Sequence, residues 1–280
     1  LGITLVSPQL LNAYDVSGTA VADVPVWDFG FTQIRMIGYQ AQVIPAMLAG
    51  FTLVYLEKFF KKIIPNAVAM IFVPLFALIP TVLFAHTVLG PIGWKIGSAI
   101  SSVVYTGLTS KVRVLFAGVF GFFYSPLVIT GLHHMTNAID LQLANDFGGT
   151  LLWPMIAFSN IAQGSAVLGI IILNWGNKEE EQISVPAAIS CYLGVTEPAM
   201  FGINLKYHFP FIAAMIGSAI AGIMSVGMGL MANGIGVGGL PGILSFNLVD
   251  WPKFVLIAAV AILVPMLLTI YVGRSKKHGS

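Results

Sequence analysis

Charge is what this sequence has least of. Asp, Glu, Lys and Arg make up only 9% of its 280 residues, against about 25% in a soluble domain. So few charges cannot solvate a water-facing surface, and with 57% hydrophobic residues the balance is that of an integral membrane protein. The 13 Lys+Arg against 11 Asp+Glu leave a net charge of +2, which excludes the basic footprint of a nucleic-acid binder. One cysteine, Cys191, excludes an internal disulfide framework and a thiolate metal cluster. The glycine-rich stretch 234–242 lacks a following Lys-[Ser/Thr] pair, so it is a turn or irregular loop and no phosphate loop.

What the chain does have is long charge-free runs: 36–56, 63–94, 114–139, 147–177, 207–249 and 254–273. At about 20 residues per crossing, these predict five or six spans in an all-α, multi-span membrane protein. Residues 1–14 are too short to span, lack a basic leader and read as the tail of a membrane segment, so the sequence is expected to be N-terminally truncated. Lys58, Lys61 and Lys62 after one run, and Arg274, Lys276 and Lys277 after the last, predict two cytoplasmic ends. Residues 15–28 read as a polar loop outside the bilayer, 92–110 as an amphipathic interfacial helix, and Lys178 with Glu179, Glu180 and Glu181 as a short solvated loop.

Prolines interrupt several runs: Pro74 and Pro80, Pro126, Pro154, Pro186 and Pro198. Proline removes a backbone donor and disfavours helix in the residue before it. In lipid the freed groups must be satisfied by protein or by a water-filled cavity. Broken helices and re-entrant hairpins are therefore expected, with helix ends near mid-membrane that suit a neutral polar solute.

Three clusters carry chemistry. Glu197, in Gly194-Val195-Thr196-Glu197-Pro198, stands in an apolar segment with no basic residue within eight positions. A carboxylate at bilayer depth is a functional candidate by default; the alternatives are a distant basic partner or a loop position. His133 and His134, followed by Thr136, Asn137 and Asp140, form a hydrogen-bonding wall or, more plainly, one satisfied buried histidine and one packing histidine. Metal is excluded by the missing third ligand, since helical ligands need spacings of three or four. Asn160 and Gln163, three apart, share a helix face and either meet a solute or glue helices together. The same choice is open for Tyr39, Gln40 and Gln42. Carboxylate, imidazole and amide groups together suit an uncharged sugar, whose hydroxyls must each find a partner. A proton-coupled carrier would use a lone Glu as well.

The stretches GVTEPAMFGINLKYHFPFIAAMIGSAIAG, SPLVITGLHHMTNAIDLQL, GYQAQVIP and SNIAQGSA resemble the membrane-embedded C component (EIIC) of sugar phosphotransferase permeases, in the glucose–sucrose–trehalose superfamily. HHMTNAID and WDFGFTQIRMIGYQAQVIP are most similar to trehalose-specific members, with sucrose-specific ones second. The resemblance implies a homodimer in the bacterial plasma membrane. Residues 1–110 would be part of an interface domain, and 111–280 a transport domain with two re-entrant hairpins that moves as an elevator. It implies a phosphohistidine-driven sugar phosphotransferase that works only as a complex: a phosphocysteine on the EIIB component, charged through EIIA upstream, phosphorylates the sugar at the cytoplasmic face. It implies sugar contacts at Glu197 and His133, with Glu197 the acceptor for the reacting hydroxyl; the reading of the residues themselves adds His134, Thr136, Asn137, Asn160, Gln163 and Thr196 to the expected site. Ser125 departs from the Arg of glucose and maltose members. No cofactor is expected. Cys191 lacks neighbouring basic residues and is expected to be structural.

Overall fold

The computed structural model describes residues 1–12, 15, 23–30, 33–40 and 43–278. Its helices, in chain order, are α1 (Gly2–Leu5), α2 (Val43–Ile63), α3 (Asn66–Phe84), α4 (Gly90–Thr109), α5 (Arg113–Ile129), α6 (Thr136–Phe147), α7 (Leu152–Leu173), α8 (Lys178–Tyr192), α9 (Glu197–Ala199), α10 (Leu205–Tyr207), α11 (Phe209–Gly227) and α12 (Trp251–His278). Among the described residues four helical runs are long and apolar enough to cross a membrane: Asn66–Thr109, Leu152–Leu173, Phe209–Gly227 and Leu248–Lys276. Arg113–Ile129 with Leu132–Leu141, bent by 120°, is either a broken fifth span or a re-entrant hairpin. The run 36–56 is not among them. Its helix, α2, continues through Glu57, Lys58, Lys61 and Lys62, charges too dense for a hydrocarbon core.

The described chain divides into two compact units, Leu1–Ser102 and Val103–Ser280. In the first, two short antiparallel strands, β1 (Val26–Asp28) and β2 (Gln33–Arg35), pair Trp27 with Ile34. The polar stretch 15–28 therefore ends in a strand of a hairpin, a departure from an all-helical fold. Residues 16–22 of that stretch lie outside the described residues, as do Gln42 and Tyr14. Of the described residues 1–12 only Gly2–Leu5 is helical. A small core of Leu5, Tyr39, Ala49 and Ala85 holds this unit.

In the second unit α7 is central, packed against α8, α11 and α12. Its most apolar window is 78% buried, against 28% for Leu248–Lys276. A helix that is apolar all round belongs inside a bundle. Helices α5 and α11 touch through small residues: a Cβ added at Gly121 would lie 2.6 Å from the Ser218 carbonyl oxygen, and one at Gly222 2.7 Å from that of Ala117. Such close approach is how helices associate where lipid is the solvent.

A break falls where expected at Pro198, which opens α9 just beyond the end of α8, but four other prolines break no helix. Pro74 and Pro80 lie inside α3, Pro126 inside α5 and Pro186 inside α8. The chain turns instead at Gly131 (φ 76°) and Gly194 (φ 99°). A proline costs one intrahelical bond and leaves the helical φ intact, whereas a left-handed residue reverses the chain and selects glycine. Two other expectations are corrected. Residues 92–110 form no separate interfacial helix; α4 continues from α3 through the π-helical turn Ala85–Leu89. Lys178 to Glu181 is no loop but the first turn of α8. The Asn177 side chain accepts the N–H groups of Glu179 (3.2 Å) and Glu180 (3.4 Å), and the glutamates complement the positive helix start.

Candidate functional site

Two glycine-hinged turns in the second unit carry the ionisable residues. The first ends α8. Gly194 packs on the glycine-rich loop, a Cβ there lying 3.0 Å from Gly238 backbone. The Asn160 side-chain amide, from α7, donates to the Gly194 carbonyl at 3.2 Å. Ser190 closes the same turn, its carbonyl accepting the Val195 N–H at 2.9 Å and its hydroxyl donating to the Val195 carbonyl at 2.9 Å. Thr196 is buried, and its carbonyl accepts the Met200 N–H at 2.9 Å. Glu197 then opens α9 with Pro198 in the first turn, where a missing N–H is harmless. The side chain of Glu197 is exposed and has no hydrogen-bond or ion-pair partner among the described residues.

The second turn follows α5. After Gly131 a 3-10 segment, Leu132–Met135, presents the two histidines. Their rings lie 4.0 Å apart, and His133 stands edge-on to Tyr124 at 6.3 Å. His133 is half-buried and His134 exposed. The Nδ1 atom of His133 is buried without a hydrogen-bond partner. Asn137 is half-buried. Thr136 is buried, and its hydroxyl donates to the His133 carbonyl at 2.7 Å. The two turns are neighbours in space: Gln163 joins Ser125 of α5 to Asn204 in the helical turn after Glu197, and His133 and Tyr124 fall within electrostatic range of the Glu197 carboxylate.

Behind them is a buried amide network. Gln163 donates its Nε2 to the Ser125 hydroxyl at 2.7 Å, while its Oε1 accepts from Asn204 at 2.6 Å. Both ends of that amide are occupied, and Gln163 is 1% exposed. The same helix face therefore does two things: Asn160 reaches the Gly194 turn, and Gln163 ties α7 to α5 and to the helical turn after Glu197. Asp140 does not join the histidines. It is fully buried and accepts the Thr150 hydroxyl at 2.6 Å; that oxygen in turn accepts the Leu152 N–H at 3.0 Å. Thr150 also bridges Ala232, so Asp140 anchors the entry to α7. Tyr39 packs against His86 in the other unit, ring centroids 5.6 Å apart.

Sequence reasoning passed over Tyr124 and Asn204, and read 234–242 as a loop without linking it to the site. Gly238 matters because a Cβ there would collide with the Asn160 amide, a contact made only in the fold; Tyr124 and Asn204 likewise carry no local signal. Cys191 is a buried free thiol. Among the described residues no group of three or more His, Cys, Asp or Glu could hold a metal ion.

The chain matches the family described as "Phosphotransferase system, EIIC" over residues 1–218. It is 53% identical to the trehalose-specific EIIBC component of Escherichia coli over 276 residues, 99% of this chain and 58% of that protein. It is 41% identical to the trehalose-specific EIIBC component of Bacillus subtilis over 280 residues, 99% of this chain and 59% of that one. A sucrose-specific EIIBC component of Pasteurella multocida is 42% identical over 254 residues, 88% of this chain and 52% of that one. The chain thus spans a little over half the length of these relatives. No solved structure matches it. With the family matched over most of its length, and with several helices apolar and long enough to cross a bilayer, the chain belongs to the phosphotransferase-system EIIC family.

Proposed function

We propose that this chain forms the sugar-binding and translocating part of a trehalose permease, with Glu197 and His133 holding the disaccharide between them. The observation that carries the proposal is their juxtaposition: a carboxylate without a partner and an imidazole, borne on separate glycine-hinged turns, lie within electrostatic reach. A sugar hydroxyl donates to the carboxylate, and the imidazole completes the hydrogen bonding of a neighbouring hydroxyl; bonds to a charged group contribute about 1.5–3 kcal/mol. His134 and Asn137 extend the polar wall. Thr136, Asn160, Gln163 and Thr196 complete the site, largely by holding the two turns through the bonds described above.

Phosphorylation follows on the cytoplasmic side. The reacting hydroxyl passes its proton toward Glu197 as its oxygen attacks the phosphocysteine of an EIIB component, itself charged through EIIA. The sulfur–phosphorus bond breaks, an oxygen–phosphorus bond forms, and the sugar phosphate is retained. Residues 111–280 act as the moving transport part and 1–110 as part of the interface of a homodimer.

Trehalose is supported by relatives of that specificity matching nearly the whole chain. Sucrose is the second reading, favoured by a sucrose-specific relative whose identity, 42%, is one point above that of the second trehalose-specific one, 41%. The test is phosphorylation of labelled trehalose in vesicles containing the full-length permease and phosphorylated EIIB, with sucrose, maltose and glucose as competitors. Trehalose should be phosphorylated and unlabelled trehalose compete best. Preferential competition by sucrose would reassign the substrate, and accumulation of free, unphosphorylated sugar driven by a pH gradient would replace group translocation with symport.

A further inference from the structure

The first unit contains a cavity of about 480 Å³ lined by Gln33, Arg35, Tyr39, His86, Trp94 and Lys95, among others. That volume falls in the range of about 300–1,000 Å³ common for small-molecule sites. Its lining is rich in donors and poor in acceptors. Two cations, Arg35 and Lys95, contribute to it, and no carboxylate does. Neither cation has an ion-pair partner among the described residues. The nearby acid, Asp28, is engaged on the hairpin by the Gln33 amide at 2.9 Å and the Gly30 N–H at 2.7 Å. His86 is buried, held between Trp27 (5.4 Å) and Tyr39 (5.6 Å), with its Nδ1 atom unpartnered.

A neutral polyol needs acceptors for its hydroxyl protons, and this wall offers few. An anion with only acceptor oxygens fits it. Beside the cavity the helix exposes Val88, Ile92 and Ile96, spaced four apart and therefore on one face, next to the cavity-lining Thr87, Pro91 and Lys95. A cationic, aromatic-rimmed cavity continuous with an apolar rail has the two-part chemistry of an anionic phospholipid: phosphate in the cavity, acyl chain along the rail. We propose that Arg35 and Lys95, with His86 and Trp94, bind a phosphate group, supplied by an anionic phospholipid.

The test uses the full-length permease, purified and delipidated in detergent, with thermal unfolding and native mass spectrometry read together. Phosphatidylglycerol should raise Tm and persist as an adduct; phosphatidylcholine should do neither. Arg35→Gln and Lys95→Gln should each weaken phosphatidylglycerol retention on the order of fivefold, while Lys58→Gln with Lys62→Gln, lysines outside the cavity, should leave it unchanged. Arg35→Lys, which keeps the charge, should retain most of the binding and serves if a neutral variant fails to fold. Protection by inorganic phosphate alone, equal to that by phosphatidylglycerol and lost in the same variants, would support the anion site with a soluble phosphate as its occupant. Equal phosphatidylglycerol retention by the wild type and the Arg35 and Lys95 variants would overturn the proposal.

Discussion

The Asn160 amide donates to the carbonyl of Gly194 at 3.2 Å, so the most buried helix of the second unit holds the turn from which Glu197 projects. Helix α7 thereby sets the position of a residue it does not itself carry. Asn160→Ala removes the donor and leaves that carbonyl short of a partner, at a cost of about 1–3 kcal/mol if it stays dry. Trehalose phosphorylation should fall about tenfold or more while the protein still elutes as a folded species. The measurement is kcat/KM in vesicles beside thermal unfolding in detergent. Wild-type kcat/KM would detach Asn160 from the site.

Gly194 is the hinge itself. Its φ of 99° and the 3.0 Å approach of Gly238 leave no room for a side chain and no relaxed conformation for one. Gly194→Ala should destabilise the protein by about 1–3 kcal/mol, read as a lower Tm. Gly202→Ala is the matched control: a Cβ there would meet only the Ile183 side chain at 3.7 Å, an ordinary contact, so Tm should change little.

The two turns show what could and could not be read from the chain. Glu197 and the histidine pair stood out because an ionisable residue in an apolar run is expensive, and that signal is local. The breaks were sought at prolines because proline is the conspicuous residue. Yet Pro74, Pro80, Pro126 and Pro186 are all accommodated within helices, and the reversals fall at Gly131 and Gly194. A glycine's sign of φ is decided by the partners it packs against, which a single sequence does not reveal among 30 glycines. Tyr124, Asn204 and Gly238 were silent for the same reason: each matters only through a contact made across the fold.

Gln163 distinguishes support from contact. Its amide joins Ser125 at 2.7 Å and Asn204 at 2.6 Å, so Gln163→Ala leaves the buried Ser125 hydroxyl without this partner and Asn204 with only its bond to the Gln163 main-chain carbonyl, an unmet buried polar group costing about 1–3 kcal/mol. The expected result is a marked loss of Tm. If Gln163 acts by holding the turns, Gln163→Glu, which keeps the acceptor and loses the donor to Ser125, should lower Tm more than it changes trehalose selectivity over sucrose. A selectivity change without a Tm change would place Gln163 against the sugar.

The strand hairpin makes a prediction about pH. The Gln33 amide and, less strongly, the Gly30 N–H hold the exposed Asp28 carboxyl below the usual carboxylate range. The folded hairpin therefore favours the ionised form. Its contribution is complete above the ordinary Asp value of about 3.9 and is lost as pH falls through the depressed one. Fluorescence of the neighbouring Trp27, isolated by replacing the other tryptophans with Phe, should show an acid transition that Asp28→Asn removes. An unchanged transition in Asp28→Asn would assign it elsewhere.

The most direct measurement is trehalose affinity by titration calorimetry on the full-length permease, for Glu197→Gln, His133→Ala and the two combined. Each single change should weaken binding about tenfold or more, with folding retained. Because both side chains grip one disaccharide, the combined loss should differ from the sum of the single losses, and phosphorylation should fall with binding. Wild-type affinity and phosphorylation in Glu197→Gln would contradict the account.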